Sequence, residues 1–355
     1  MILQRYILRE LLLTFLFTFA VIMAMGLVWM TLQGLRSFEG MGVSLLGRLI
    51  PIGAGSLGPW VLPLASCSAT TLVYGRLAAA NEINAMRMSG IHANRIVAPA
   101  FLFGLALTAV GFAFHEYAAP AAQFSRRKLA RESLMAMLRV PPPGRQRFAI
   151  GNYTLSYADY RDGRMDRPYV LAFARPQGLV AEYRAVSGSV ILEPGKPPRL
   201  VLSRCSYARY DPKGNKTEIS ADSDLTIPIE IEEVGLSSRS LSERSLEELW
   251  QAARQAPVPR NRAQALLLYH GRYARSLAPL ALVLLGIPVG IFVSRSSRMA
   301  GLGAALPPLL LYFVLLFLLQ GMGENMRVPP PVAAWAPDAV LLILAAVLFR
   351  GVYRK

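Results

Sequence analysis

Residues 11–35 read LLLTFLFTFAVIMAMGLVWMTLQGL, 25 residues between Glu10 and Arg36 without a charge. Crossing a bilayer core takes about 20 apolar residues at 1.5 Å rise each. The run is long enough to span, and it does not suit a cleavable leader: it is too long, and no small-x-small site follows it. A retained first helix over about residues 7–32 is expected. Outward from it lie uncharged runs at 49–75, 96–115, 276–294 and 299–323. A last run, 339–349, has only 11 residues. It becomes a span if Trp335 and Pro337 sit in one interface and Tyr353 in the other, with Asp338 at the helix start.

About 145 polar residues separate the third run from the fourth. The layout is therefore three helices, an inserted domain and three helices: 1–119, 120–264 and 265–355. Of the 355 residues, 54% are hydrophobic and 17% charged, and the mean hydropathy is +0.37. Soluble domains carry nearer a quarter charged residues.

Orientation follows from Lys and Arg in the short loops. With the N-terminus inside, the inner segments hold ten such residues, among them Arg5, Arg76, Arg87 and Arg350, while the outer loops hold three, Arg36, Arg48 and Arg327. Both termini are expected in the cytoplasm and the large domain outside.

The net charge of +16 suggests nucleic acid at first sight. Part of the excess is the inner loops just named, so no nucleic-acid partner is expected. The inserted segment holds 23 Lys/Arg against 16 Asp/Glu. Beside a membrane, such a surplus fits an anionic lipid or glycan partner, or a generally Arg-rich composition.

Cys67 falls in a span and Cys205 in the inserted domain, so they cannot pair in this topology. No metal-ligand spacing, no HExxH, no GxSxG and no Walker A occurs. No catalytic residue and no metal site is expected. His92, His115 and His270 read as solvated or interfacial residues. The spans carry essentially no ionisable residue at mid-depth, which disfavours ion-coupled transport.

Segment 76–95, RLAAANEINAMRMSGIHANR, is cytoplasmic in this orientation. Within it, Asn81–Ser89 reads as a short helix closed by Gly90 at the C′ position, with Ile91 following as in a Schellman ending. Ile83 and Met86 share one face. By itself the loop reads first as a plain connector.

Helix two carries Pro51, Pro59 and Pro63 with Gly53, Gly55 and Gly58, a density that kinks a membrane helix or lets neighbours approach closely. Residues 123–138 read as a charged helical extension of the third span, broken by Pro141–Gly144. Beyond it, Tyr153–Tyr157, Tyr169–Phe173, Val190–Leu192, Leu200–Leu202 and Leu225–Ile227 are strand-like, with turns at Arg161–Gly163, Pro194–Gly195 and Asp211–Gly214. Short strands so spaced suggest an antiparallel sandwich, barrel or jelly roll. Helix returns over 242–256, with Ser242 or Ser245 as the N-cap, and Pro257 and Pro259 end it.

MILQRYILRELLLTFL at the start, NEINAMRMSGI, RYARSLAPLALVLLGIPVGI and AAWAPDAVLL resemble the LptF/LptG (YjgP/YjgQ) permeases of lipopolysaccharide export. The resemblance covers nearly the whole chain, and the compact start resembles the F-type slightly more. It implies an α-helical membrane protein with six transmembrane helices (3+3) and an inserted periplasmic antiparallel β-jelly-roll domain. It also implies a bacterial inner-membrane location and an ATP-driven ABC transporter. Its partners would be a second LptF/LptG-type permease chain, a cytoplasmic ABC ATPase dimer, periplasmic bridge proteins of the jelly-roll type, lipopolysaccharide and membrane lipid. ATP and Mg would be bound by the partner ATPase, so the chain needs no cofactor and is not itself an enzyme.

Through the resemblance, segment 77–92 becomes a coupling helix. Glu82 matches the acidic residue that docks in a groove of the ATPase. Ile83 and Met86 would supply apolar contact, Arg87 a polar rim and Gly90 the stop. Arg36, at the outer end of the first helix, is the candidate for lipid A phosphates, with Arg272 and Arg275 behind it. Arg suits phosphate because its planar fork donates two bonds at once; headgroup snorkelling is the competing role. The competing function is a membrane-anchored envelope sensor or assembly scaffold with a ligand-binding β-domain.

Overall fold

A computed structural model of the chain describes residues 2–37, 44–139, 146–150, 153–161, 163–174, 178–191, 199–210, 216–228, 240–294 and 303–353. The expected turns at 141–144, 194–195 and 211–214 lie outside these residues. The chain forms two compact units, Met1–Phe124 with Arg239–Lys355, and Ser125–Ser238.

The first unit is helical. It holds α1 (Ile2–Ser37), α2 (Ser44–Ala79), the short α3 (Glu82–Met88) and α4 (Ala93–Ala113). A π-helical turn, Phe114–Ala118, carries α4 without a break into α5 (Ala119–Arg139), which ends in the second unit. After the insertion come a 3-10 turn (Leu241–Glu243), α6 (Leu246–Gln255), α7 (Pro259–Ser294), α8 (Leu306–Glu324) and α9 (Pro330–Tyr353). Six helical stretches among the described residues are long and apolar enough to cross a membrane: 2–33, 47–79, 93–130, 259–293, 303–324 and 330–351.

α7 is the centre of this unit. It packs against α2, α4, α6, α8 and α9. Small residues make that possible: Ala274, Ala278, Ala281, Gly286 and Gly290 let neighbouring backbones come close. α1 is the opposite case. Leu12, Leu16, Phe17, Met25 and Trp29 stay exposed, as apolar residues can only where lipid or another apolar chain covers them.

The glycines of α2 serve close packing. A Cβ at Gly53 would lie 2.7 Å from Leu27 of α1, and one at Gly58 would lie 2.4 Å from the Phe114 ring. The prolines sit inside a continuous helix.

The sixth helix differs from the expectation. It starts at Pro330, because Pro330 and Pro331 fit a first turn that has no N–H partners to lose. Asp338 is therefore not at the helix start but inside the span and 2% exposed. It shares the buried face of Leu341 and Ala345, and its Oδ1 accepts no hydrogen bond among the described residues. The expected absence of ionisable groups at mid-depth in the spans fails at this residue, so it no longer argues against ion coupling. Reading spans as charge-free runs misses polar groups on faces that pack on other helices. Pro259 likewise starts α7, where the sequence suggested only an end to the preceding helix.

The second unit is built on eight antiparallel strands in one nearly closed sheet. They are β1 (Gln146–Ile150), β2 (Tyr153–Tyr157), β3 (Asp159–Arg161), β4 (Arg164–Asp166), β5 (Tyr169–Ala174), β6 (Gly178–Ile191), β7 (Arg199–Tyr210) and β8 (Lys216–Pro228). The long β6 pairs with β5 along its first half, with β4 further on, and with β7 along its other edge. Alternation sets the faces: in β2, Leu155 and Tyr157 are buried and Thr154 and Ser156 are not. The core joins Leu155, Tyr157, Met165, Val170, Leu200 and Leu202. The β7–β8 register slips between Leu202 and Cys205, where Arg204 takes a φ of 52°. That is a bulge, which bends a strand.

Candidate functional site

The loop between α2 and α4 is an ordered device rather than a bare connector. Asn81 turns the chain with a φ of 58°, and its side chain accepts from the Asn84 amide at 3.2 Å. α3 then runs from Glu82 to Met88. It closes as a Schellman ending: the Ile91 N–H donates to the Met86 carbonyl and the Gly90 N–H to that of Arg87, both at 3.0 Å. Gly90 has a φ of +77°, which favours glycine. His92 caps α4, its Nδ1 accepting from the Asn94 N–H at 3.3 Å.

Ile83 and Met86 do not face outward. Both are buried, in one cluster with Ile7, Leu11, Tyr74, Leu77, Ile96 and Ile287. That apolar face is used inside the chain, so it roots α3 in α1, α2, α4 and α7. The outward side is Asn84, Ala85 and Met88, the last 90% exposed, with Glu82 and Arg87 half-buried at its edges. Arg87 also lines a small cavity with Tyr74, Ile83, Ile96, Ile287 and Phe349.

Glu82 joins a charged network across three helices. The Tyr6 hydroxyl of α1 donates to Glu82 Oε2 at 3.4 Å. Beside it, Arg76 of α2 pairs with Glu10 of α1 at 2.6 Å. Tyr6, Glu10 and Met88 were not singled out from sequence. Only the spacing of Met88 on the face opposite Ile83 could have found any of them.

The phosphate candidates separate. Arg36 lies in the last turn of α1, and its side chain is outside the described residues. Arg272 is 4% exposed and occupied by protein. Its Nη1 donates to Glu116 at 2.7 Å, and its Nη2 donates to the carbonyls of Ser242 and Arg244. With both ends of the guanidinium engaged, it does not fit a phosphate ligand. Arg275 donates to the Gly271 carbonyl of its own helix at 3.0 Å, and with Gln320 it lines a cavity between α7, α8 and α9. The three do not form one cluster.

An aromatic group marks the end of α4 and α7 that is far from α3. Trp250 packs on Tyr269 at 5.3 Å, Tyr269 on Tyr273 at 5.5 Å and Phe112 on Tyr273 at 5.7 Å, with Arg254 over the Trp250 ring. Such rings favour the membrane–water interface.

The family model described as "Lipopolysaccharide export system permease LptF/LptG" matches residues 5–351. A comparison with curated proteins finds no match.

Proposed function

The chain belongs to the LptF/LptG family of lipopolysaccharide export system permeases, and from that premise we propose that it is one of two permease subunits of an ATP-driven transporter. It is a multi-pass inner-membrane protein. In this reading the six helices form half of a cavity that takes lipopolysaccharide from the membrane. The β unit passes the glycolipid on toward the outer membrane. Both termini and α3 lie in the cytoplasm, residues 125–238 in the periplasm, and an ATPase dimer binds ATP and Mg.

The build of α3 is the observation that supports this most. A partner touching Met88, Asn84 and Glu82 pushes on a helix rooted by Ile83 and Met86 in four others. A packed core transmits displacement because it is dense and does not deform continuously. Glu82 adds a charge-assisted contact, which contributes more than a neutral one. Ile83 and Met86 act from behind, as anchors, rather than at the contact.

Copurification with a soluble ATPase and a second 3+3 permease tests the reading. Glu82→Arg places a like charge beside Arg87 and Arg76. It is expected to weaken ATPase binding about tenfold to a hundredfold, or about 1.4–2.8 kcal/mol. Wild-type binding by Glu82→Arg removes the docking assignment. A chain that purifies with neither partner returns the reading to a membrane-anchored envelope sensor or scaffold.

A further inference from the structure

The helical run that begins at Ala93 does not stop where its hydrophobic run stops. It passes through the π turn Phe114–Ala118 into α5. A π turn adds a residue to the helix and re-aims the side chains there. The re-aimed group is Glu116. One carboxylate oxygen accepts from Arg272 of α7 at 2.7 Å, and the other accepts the N–H of Leu246, the first residue of α6, at 3.2 Å. That N–H is one of the donors a helix start leaves unpaired, and negative charge there is favourable. The same Arg272 holds the carbonyls of Ser242 and Arg244.

One ion pair thus ties four segments: the π turn, the 3-10 turn, the start of α6, and α7. The side chains are 5% and 13% exposed, so water screens the pair little. From the other side α2 seats the turn. A Cβ at Gly58 would strike the Phe114 ring, and one at Gly55 would lie 3.0 Å from the Ala118 carbonyl oxygen. The chain leaves this unit for residues 125–238 through α5 and returns just ahead of the 3-10 turn. Both connections pass the same pair.

We propose that the Glu116–Arg272 pair is a clamp that sets the joint through which both connections leave the helical unit, so that a shift of α7 against α4 reaches both at once. Arg272 is then a positioning residue and not a phosphate ligand. The proposal concerns the folded chain alone and stands apart from the transport reading.

Spin labels at Phe124→Cys on α5 and Gln251→Cys on α6, both exposed sites, report the joint in nanodiscs. Cys67 and Cys205 are buried and resist labelling. The wild-type clamp is expected to give one narrow distance. Arg272→Gln and Glu116→Gln are expected to add a second, longer-distance population. Arg272→Lys keeps the ion pair but loses the fork to Ser242 and Arg244, so its longer population should be smaller. Gly58→Ala, pressing on Phe114 from the far side, should shift Glu116 away from Arg272 and so add the longer population without touching either charge. An unchanged distance in folded Arg272→Gln overturns the clamp. If neither charge variant folds, an unchanged distance in Gly58→Ala overturns it. The readout needs neither partner nor glycolipid, so a failure here leaves the transport reading untouched.

Discussion

Glu182 shows how a single residue carries a condition for folding. It lies on β6 and is 7% exposed. The Tyr210 hydroxyl donates to it at 2.8 Å, and Arg184 donates through Nε at 2.8 Å. These bonds, that from Tyr210 first, hold its carboxyl below the usual value of 4.5, against a smaller opposing effect of burial. A carboxylate with a depressed folded pKa contributes stability above its unfolded pKa and loses it as pH falls through the folded one. Melting of the β unit within the full chain should therefore drop as pH falls below about 4.5, the usual value of the unfolded carboxyl. Glu182→Gln should melt lower than wild type at neutral pH, and the gap should close in acid. A gap that stays constant with pH would remove the role given to this charge. Local signals at this scale were partly legible. Of the two caps that the sequence offers, Ser242 lies in the 3-10 turn, and Ser245 forms the full capping box with Glu248. Gly90 reads as a helix stop and is one. The bonds of Arg272 were not legible, because its partner, Glu116, is 156 residues away, and no periodicity reports so distant a pairing.

At the scale of elements, the crossing of α2 and α7 decides what substitutions the helical unit tolerates. Gly286 and Gly290 stand four apart on α7, the small-xxx-small pattern that lets membrane helices touch backbone to backbone. A Cβ at Gly290 would lie 2.5 Å from the Thr71 carbonyl oxygen and 3.0 Å from the Gly75 nitrogen. Both are backbone atoms, so no rotamer change relieves the clash. Gly290→Ala is expected to part the two helices and to lower stability by about 1–3 kcal/mol, the usual cost of overpacking. Gly321→Ala is the control, since nothing lies within 4 Å of its added Cβ. Equal melting of the two variants would mean that the crossing is not as tight as drawn. The same scale shows where sequence reading ran short. Four of the five longer apolar runs correspond to helices that extend past them, because a helix continues through charges wherever one face stays packed, whereas α8 begins inside its run, at Leu306. β6 was visible only at its end, Val190–Ile191, because its earlier residues include the charged pair Glu182 and Arg184, which breaks the alternation of apolar with polar.

For the whole molecule, the reading depends on which side each end faces. In the proposed orientation, the excess of Lys and Arg in the short loops on the side of α3 would put that end in the cytoplasm. The aromatic group of Phe112, Trp250, Tyr269 and Tyr273 gives the opposite end of α4 and α7 an interface of its own. From Tyr273 to Ser294, α7 runs about 30 Å at 1.5 Å per residue, the thickness of a bilayer core. The π turn and Arg272 then fall beside that aromatic interface, where a buried ion pair costs less than it would at the midplane. Orientation is tested with a membrane-impermeant thiol reagent. Met88→Cys on exposed α3 should react only after the inner membrane is opened. Arg164→Cys, exposed on β4, should react in intact spheroplasts. The native cysteines are buried and contribute little background. The reverse pattern would place α3 away from any cytoplasmic ATPase and leave Glu82 with nothing to dock. Reaction of both sites from outside would mean that an even number of crossings separates α3 from β4, and the 3+3 arrangement itself would have to be redrawn.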